Sequence, residues 1–196
     1  MTTEKRRGRG RPRRFDPEEA VATAQQLFHA RGYDAVGVAD VIAALGIKPP
    51  SFYAAFGSKA GLYTRVLDRW DGNGAIPFAD ILRHDRPVAE CLAALLEEAA
   101  RRYAADPAAT GCLVLEGTRC NDPEAREAAR TRNIAAEAII RDYIAAHHPQ
   151  QADIVTNFVS TTMSGLSAKA RDGYSLDQLL AAARLARFSF EHAFSA

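Results

Sequence analysis

Apolar residues recur three and four positions apart along most of the chain, the spacing that lines one face of an α-helix. Val21, Ala24, Leu27 and Phe28 form the first such stripe. It opens at Asp16-Pro17-Glu18-Glu19, which supplies an N-cap, a proline at the first helical position and an acid three residues after the cap, and it stops at Gly32. A short second helix is predicted over 38–45, with Val41, Ile42 and Leu45 inward and Gly46 closing it. A third starts at Pro49-Pro50 and carries Phe52 and Phe56 on one face, and Ser58 opens a fourth containing Leu62, Tyr63, Val66, Leu67 and Trp70. Asp71-Gly72-Asn73-Gly74 reads as a flexible break. Longer, alanine-rich helices are expected beyond it, near 77–84, 86–105, 110–120, 123–147, 151–171 and 175–194. Asp122-Pro123 and Ser175 with Gln178 mark starts, and Pro149 and Gly173 mark stops. No strand-like alternation or internal repeat occurs, so the expected fold is all-α.

Composition narrows the class. Apolar residues make up 47% of 196, enough for a packed core, and alanine dominates where β-branched residues would mark strands. No apolar run reaches the roughly 20 residues of a membrane span. The charged N-terminus lacks the apolar stretch of a secretory signal. Cys91, Cys112 and Cys120 are too few and scattered for a disulfide framework. The expectation is a cytoplasmic protein.

Charge is unevenly placed. Residues 1–14 hold seven basic side chains against the single acid Glu4, which makes this tip about +6 and the remainder about −5. Such an arm on an acidic protein admits two readings, a solubilising tail or an element drawn to a polyanion. The order Gly8-Arg9-Gly10-Arg11-Pro12-Arg13 favours the second, because it resembles the Arg-Gly-Arg-Pro core of AT-hook segments. In such segments glycine lets the backbone lie deep in the minor groove, and arginines (here Arg9, Arg11 and Arg13) follow its negative potential.

The helices on either side of Gly46-Ile47-Lys48 have helix-turn-helix proportions. With Phe52 and Phe56 inward, Lys48, Pro49, Pro50, Ser51, Tyr53 and Ala54 face outward. In this motif the start of the second helix enters the major groove, where its dipole favours phosphate oxygens. The run Gly46-Ile47-Lys48-Pro49-Pro50-Ser51-Phe52-Tyr53-Ala54-Ala55-Phe56-Gly57-Ser58-Lys59 closely resembles the signature of the TetR (tetracycline-repressor) family of bacterial regulators. Upstream, Ala30-Arg31-Gly32-Tyr33-Asp34-Ala35 matches the end of that family's first helix and the loop after it. The resemblance covers roughly residues 16–67. It implies that Lys48, Pro49, Pro50 and Ser51 contact base edges and groove walls, and that Tyr53 and Lys59 hold backbone phosphates. The plainer alternatives are helix initiation by the prolines, packing by Tyr53 and a solvated Lys59. The sequence departs from the pattern at Gly37-Val38, where a capping hydroxyl is missing, at Ala54-Ala55, where larger side chains are frequent, and at Gly61, where a helix former is usual. At an exposed position that glycine is worth about 1 kcal/mol of helix stability. With few large readers on the helix, part of the grip is expected from the arm, which extends the DNA-binding unit to residues 5–69.

The same resemblance makes the chain from residue 75 onward a ligand-sensing and dimerisation domain. The expected organisation is a basic arm over 1–15, a three-helix helix-turn-helix domain over 16–70 and a helical domain over 75–196. Val155, Val159, Thr162, Met163 and Leu166 line one helix, and Leu179, Leu180, Ala183, Phe188, Phe190 and Phe194 line another that carries more apolar surface than one solvent-facing helix should; the two fit a four-helix dimer seam, the plainer alternative being packing within the chain. Trp70, Phe78, Tyr103, Cys112, Phe158 and Met163 are candidate lining residues of an effector pocket, expected to take an apolar or weakly polar ligand. Cys112, beside Gly111 at a helix start, is a second candidate sensor if its pKa is lowered. His147-His148 reads as a helix end rather than a metal site, and no metal or cofactor is implied.

No nucleophile elbow, phosphate loop, zinc motif or spaced carboxylate pair supports an enzyme. The functional expectation is a DNA-binding regulator, a repressor by resemblance. It would sit as a homodimer on a palindromic operator, in the nucleoid when bound, and be released by a small-molecule effector. Control through a cysteine, and ligand-independent architectural binding, are the alternatives.

Overall fold

The computed structural model describes residues 16–195, and every regular element among them is helical. Ten helices follow in order: α1 (Pro17–Arg31), α2 (Val38–Leu45), α3 (Pro49–Phe56), α4 (Lys59–Asn73), α5 (Phe78–Ile81), α6 (Val88–Tyr103), α7 (Leu113–Gly117), α8 (Pro123–Ala145), α9 (Ala152–Arg171) and α10 (Leu176–Phe194). The capping residues read from the sequence act as caps. Asp16 accepts from the Glu18 amide, Asp122 from those of Glu124 and Ala125, and Ser175 pairs with Gln178 in a capping box.

Two departures have clear causes. No side chain caps α2 at Gly37, but the reciprocal half of a capping box is kept, with the Gly37 amide donating to the Asp40 carboxylate at 2.8 Å. Gly61 is not a weak substitute for a better helix former. It is only partly exposed, and a Cβ there would run into the Phe56 carbonyl oxygen, so the turn from α3 into α4 requires glycine.

The break expected at residues 71–74 is shorter than the sequence suggests, because α4 continues to Asn73 and ends against Gly74. The expected segment 110–120 contracts to the single turn of α7, and 77–84 to α5.

Two apolar clusters form the interior. The larger joins α6, α8, α9 and α10 through residues such as Leu92, Leu95, Leu96, Ile140, Ile144, Val159, Leu179 and Phe190. The smaller gathers Val21, Phe28, Val41, Phe52, Leu62, Tyr63, Val66 and Leu67 from α1–α4. It closes only with Leu113, Cys120, Ala125 and Ala129 from α7, α8 and the segment between them. The reading head and the C-terminal half therefore share a core.

Most residues expected at a dimer seam belong to this interior instead. Val155, Val159, Leu166, Leu179, Leu180, Ala183 and Phe190 are buried within the chain. Phe188 remains open at 67% exposure, with Ile154, Phe158 and Leu185 on the outer faces of α9 and α10. The apolar surface is thus real but one helical face away from the residues expected to form it.

The joint between the halves is tight at Gly117, where a Cβ would collide with the Tyr63 hydroxyl and lie 2.9 Å from the Ala129 methyl. Overpacking of this kind costs about 1–3 kcal/mol, so Gly117→Ala should lower the unfolding free energy obtained from urea titration by that order. Tyr63→Phe removes the colliding hydroxyl together with its 3.2 Å bond to the Leu113 carbonyl. The double variant should lose less stability than the sum of the two single changes. Strictly additive losses in a urea-denaturation cycle would contradict the collision.

Candidate nucleic-acid interface and interior cavity

Gly46 takes the left-handed conformation (φ 63°) that ends α2, and the Ile47 amide returns to the Ile42 carbonyl at 3.3 Å. This turn sets α3 outward, with Phe52 and Phe56 buried beneath it. Lys48, Pro49, Pro50, Ser51, Tyr53 and Ala54 are all exposed, as the apolar spacing requires. Pro49 and Pro50 fill the first two helical positions. They remove the amides that a helix start usually offers to an anion, and the Ser51 and Phe52 amides turn back to the Lys48 carbonyl. The start of α3 therefore offers a phosphate fewer amides than an ordinary helix start does. The polar groups left on this face are the Lys48 ammonium and the Ser51 and Tyr53 hydroxyls. Tyr53 is 53% exposed, and its ring is held edge-on against Phe52 with centroids 5.2 Å apart. Its hydroxyl has no partner among the described residues.

Lys59 is neither a plain surface lysine nor a freely extended one. Its ammonium donates to the Tyr33 and Val36 carbonyls, each at 3.0 Å, and sits 3.8 Å from the centroid of the Tyr33 ring. It pins the loop between α1 and α2 to the start of α4. The same loop is tied to the far half, since the Tyr33 hydroxyl donates to Asp122 at 2.7 Å and Asp34 accepts from the Asn121 amide. The bond from Tyr33 helps hold the Asp122 carboxyl below its ordinary pKa, and burial raises that of Tyr33. Arg9, Arg11 and Arg13 lie outside the described residues.

A cavity of about 380 Å³ lies between α4, the α5 segment, α6, α7, α8 and α9. Trp70, Phe78, Tyr103, Cys112 and Met163 line it. Phe158 does not. It packs edge-on against Phe190 (centroids 5.6 Å apart) on the outer face of α9, the opposite side from Met163. Missing from the sequence reading is a polar part of the wall made by Asp71, Arg102, Arg132, Asn133 and Glu137. Its signal was present in α8, where residues 132, 136 and 140 and residues 133 and 137 repeat at four-residue spacing. That repeat reads as an ordinary solvated face until α4 is laid across it.

Cys112 does not have the activated thiol expected of a helix start. Burial pushes its pKa up, against the smaller opposing effect of the Leu115 and Val114 amides. Cys120 is shifted the same way, again chiefly by burial. His147 stacks on His84 (centroids 5.0 Å apart) and His148 on Phe194 (4.3 Å). Among the described residues no three ligating side chains converge on a metal position, and no helix is long and apolar enough to cross a membrane.

His29, near the end of α1, links the head to the cavity wall. Its Nε2 bonds the carbonyl of Gly111, and its ring meets Trp70 edge-on at 4.9 Å. Both Gly111 and Trp70 line the cavity. Arg171, the last residue of α9, donates to the His29 carbonyl and pairs with Glu116.

A short helix, a glycine turn and an exposed second helix, carried on an all-helical body with an interior cavity, define a helix-turn-helix transcriptional regulator. Residues 20–66 match the model of the bacterial regulatory proteins of the tetR family. Over 186 residues, 95% of this chain and 94% of its relative, the sequence is 58% identical to the HTH-type transcriptional repressor BdcR of Escherichia coli K12. It is 29% identical to the repressor ComR of the same organism, with 89% of each chain covered. Among solved structures, a cysteine-substituted form of the TetR family regulator CifR, in complex with 26-base-pair operator DNA, superposes with a TM-score of 0.78. It shares 31% identity over 95% of this chain and 99% of that one. The chain belongs to the TetR family and is a DNA-binding transcriptional repressor.

Lys59→Met strips both carbonyls of a charged donor, so the free protein, without DNA, should lose about 1–3 kcal/mol. An unchanged melting temperature would show the ammonium to be idle there. His29 is kept neutral by burial, with a folded pKa below the ordinary 6.5. The unfolded chain thus binds the extra proton first, and stability should fall as pH drops below about 6.5, levelling off beneath the folded pKa. His29→Gln should flatten that slope in urea titrations between pH 7 and 5; an equal slope in both proteins would count against it.

Proposed function

We propose that the chain represses transcription as a homodimer on a palindromic operator and leaves it when a small molecule occupies the cavity. The division of labour is an arm over residues 1–15, a reading head over 16–70 and a ligand-binding and dimerisation part over 75–196. Lys48, Pro49, Pro50 and Ser51 face base edges and groove walls, Tyr53 and Lys59 face phosphates, and Arg9, Arg11 and Arg13 follow an adjacent minor groove. Lys59 has one N–H left for a phosphate after its two carbonyl bonds. Its main contribution is to hold the loop beside that phosphate.

The observation that carries this reading is the double membership of α4. Its first turn follows directly from α3 through Gly57 and Ser58, and its last turn supplies Trp70 and Asp71 to the cavity wall. A ligand that prefers a different position of that last turn changes the spacing between two reading heads, and with it operator affinity. The operator-bound structure of CifR, a relative matched over nearly the whole chain, supports DNA as the partner. The raised thiol pKa of Cys112 favours occupancy by a ligand over cysteine chemistry as the trigger. The open apolar face with Ile154, Phe158, Leu185 and Phe188 fits a second copy of the chain.

Footprinting on the intergenic DNA flanking the chain's own gene should protect two half-sites about one helical turn apart. Deleting residues 1–14 should weaken that complex and flatten the dependence of log affinity on log salt concentration, since fewer phosphates are neutralised. An equal dissociation constant and slope with and without the arm would remove it from the DNA-binding unit.

A further inference from the structure

The polar side chains in the largely apolar wall of the cavity are Asp71, Arg102, Arg132, Asn133, Glu137 and Ser160, and the charges among them are not equally committed. Arg102 is tied on three sides, to Glu98 at 2.8 Å and to the carbonyls of Ala75 (3.0 Å) and Gly74 (3.4 Å). Glu137 accepts from Asn133. Arg132 is different. It reaches from α8 to α4, where it pairs with Asp68 and with Asp71, the latter at 3.1 Å, and its own helix supplies the Ala128 carbonyl. Its side chain is 19% exposed, whereas that of Asp71 is 51% exposed. A guanidinium with little access to water must keep an acceptor. A half-exposed carboxylate is already partly hydrated, so it can return to solvent at small cost. Of the pairs in this wall, Arg132–Asp71 is therefore the exchangeable one.

Resting on the effector-site reading above, we infer that the cavity takes an amphipathic anion. Its apolar body lies against Trp70, Phe78, Tyr103 and Met163, and a single carboxylate-like head replaces Asp71 on Arg132. At about 380 Å³ the space lies near the small end of the roughly 300–1,000 Å³ typical of ligand sites. Planar two-point pairing suits a carboxylate better than a point acceptor such as an alcohol. The exchange also gives the ligand its lever. Arg132 is the clasp between α8 and the last turn of α4, so moving its guanidinium from Asp71 to the ligand loosens the helix that positions the reading head. Arg132 is thus both the determinant of ligand charge and the residue that passes occupancy to the DNA side.

The probes are octanoate, 1-octanol and octylammonium, which share one apolar body. Binding is read by isothermal titration and thermal shift on the full chain, and release by displacement from the footprinted intergenic DNA. Octanoate should bind at least tenfold tighter than octanol, octylammonium more weakly than either, and octanoate alone should release the DNA. Arg132→Gln should bring octanoate and octanol to equal affinity while octanol binding persists. Asp71→Asn removes the competing carboxylate and should tighten octanoate several-fold, a gain that a merely structural role for the pair would not produce. It also keeps the test open if the glutamine variant folds poorly. Met163→Trp, which fills the cavity, should abolish binding of all three. Octanol equal to octanoate in the unmodified chain, or no gain with Asp71→Asn, overturns the anionic class while leaving the cavity as effector site. Binding that survives Met163→Trp, absence of binding by all three probes, or binding without release of DNA overturns the effector-site reading itself.

Discussion

Tyr63 is buried where two halves of the molecule meet, and the arrangement of the rest depends on that burial. Its ring meets Phe28 and Tyr33 edge-on (centroids 5.3 and 4.9 Å away), its hydroxyl bonds the Leu113 carbonyl, and Gly117 leaves the space that the hydroxyl occupies. The head of four helices is too small to bury its own apolar faces, a general difficulty for segments of this length. It closes its core by borrowing Leu113, Ala125 and Ala129 from residues beyond the cavity. A shared core of this kind does not deform smoothly. Close-packed interfaces change by shifting between alternative arrangements, which is what a repressor needs from the joint between sensing and reading.

The polar ties around that joint have different duties from the packing. Arg65–Glu18, Arg132–Asp68 and Arg171–Glu116 are at least partly exposed and contribute little stability individually. They do fix direction. Arg171 and Gly111 hold the end of α1, Arg132 holds the end of α4, and Lys59 with Asp122 holds the loop between α1 and α2. Of these ties, the Lys59 bonds and Arg65–Glu18 lie within the head and Arg171–Glu116 within the C-terminal half, while the others join the two. In the inferred exchange, a weak ionic clasp would give way to a ligand at low cost while the aromatic cluster beneath it keeps the fold in place.

The helices and the reading face were legible in the sequence because both rest on local rules. Asp16, Ser58, Asp122 and Ser175 are caps by side-chain chemistry, and the four-residue spacing of Phe52 and Phe56 fixes which side of α3 faces out. The wall of the cavity was legible only in its apolar part. Trp70, Phe78, Tyr103, Cys112 and Met163 stand out by residue type, but Arg132 and Asp71 look like solvated charges until α4 and α8 cross. Phe158 was misplaced for the converse reason: periodicity gives a helix an apolar side without saying which neighbour covers it, and here it is open beside Phe190. Gly61 misled because its neighbour in space, the Phe56 carbonyl, overrides what its position in a helix suggests, and for Cys112 burial favours the inert thiol over the reactive one.

The surface of α3 also limits how this head can hold DNA. Pro49 and Pro50 delete the amides that would grip a phosphate, and Ala54 and Ala55 add no long side chain. What remains is a slim, smooth helix start with one ammonium and two hydroxyls. Such a shape can approach base edges closely, and apolar contact with thymine methyl groups suits Pro and Ala better than any charged reader does. Close approach without strong local charge contributes to discrimination more than to affinity, since affinity for DNA comes mainly from neutralised phosphates. The charge that α3 lacks is concentrated instead in the seven basic residues of the first fourteen, joined to α1 at Asp16. Under the proposed function, separating the two duties would let occupancy of the cavity act on the part that discriminates. On the proposed mechanism, a shift of α4 that moved α3 out of register would cost base contacts first, and an arm that follows phosphates and groove shape would not by itself hold one sequence in preference to another.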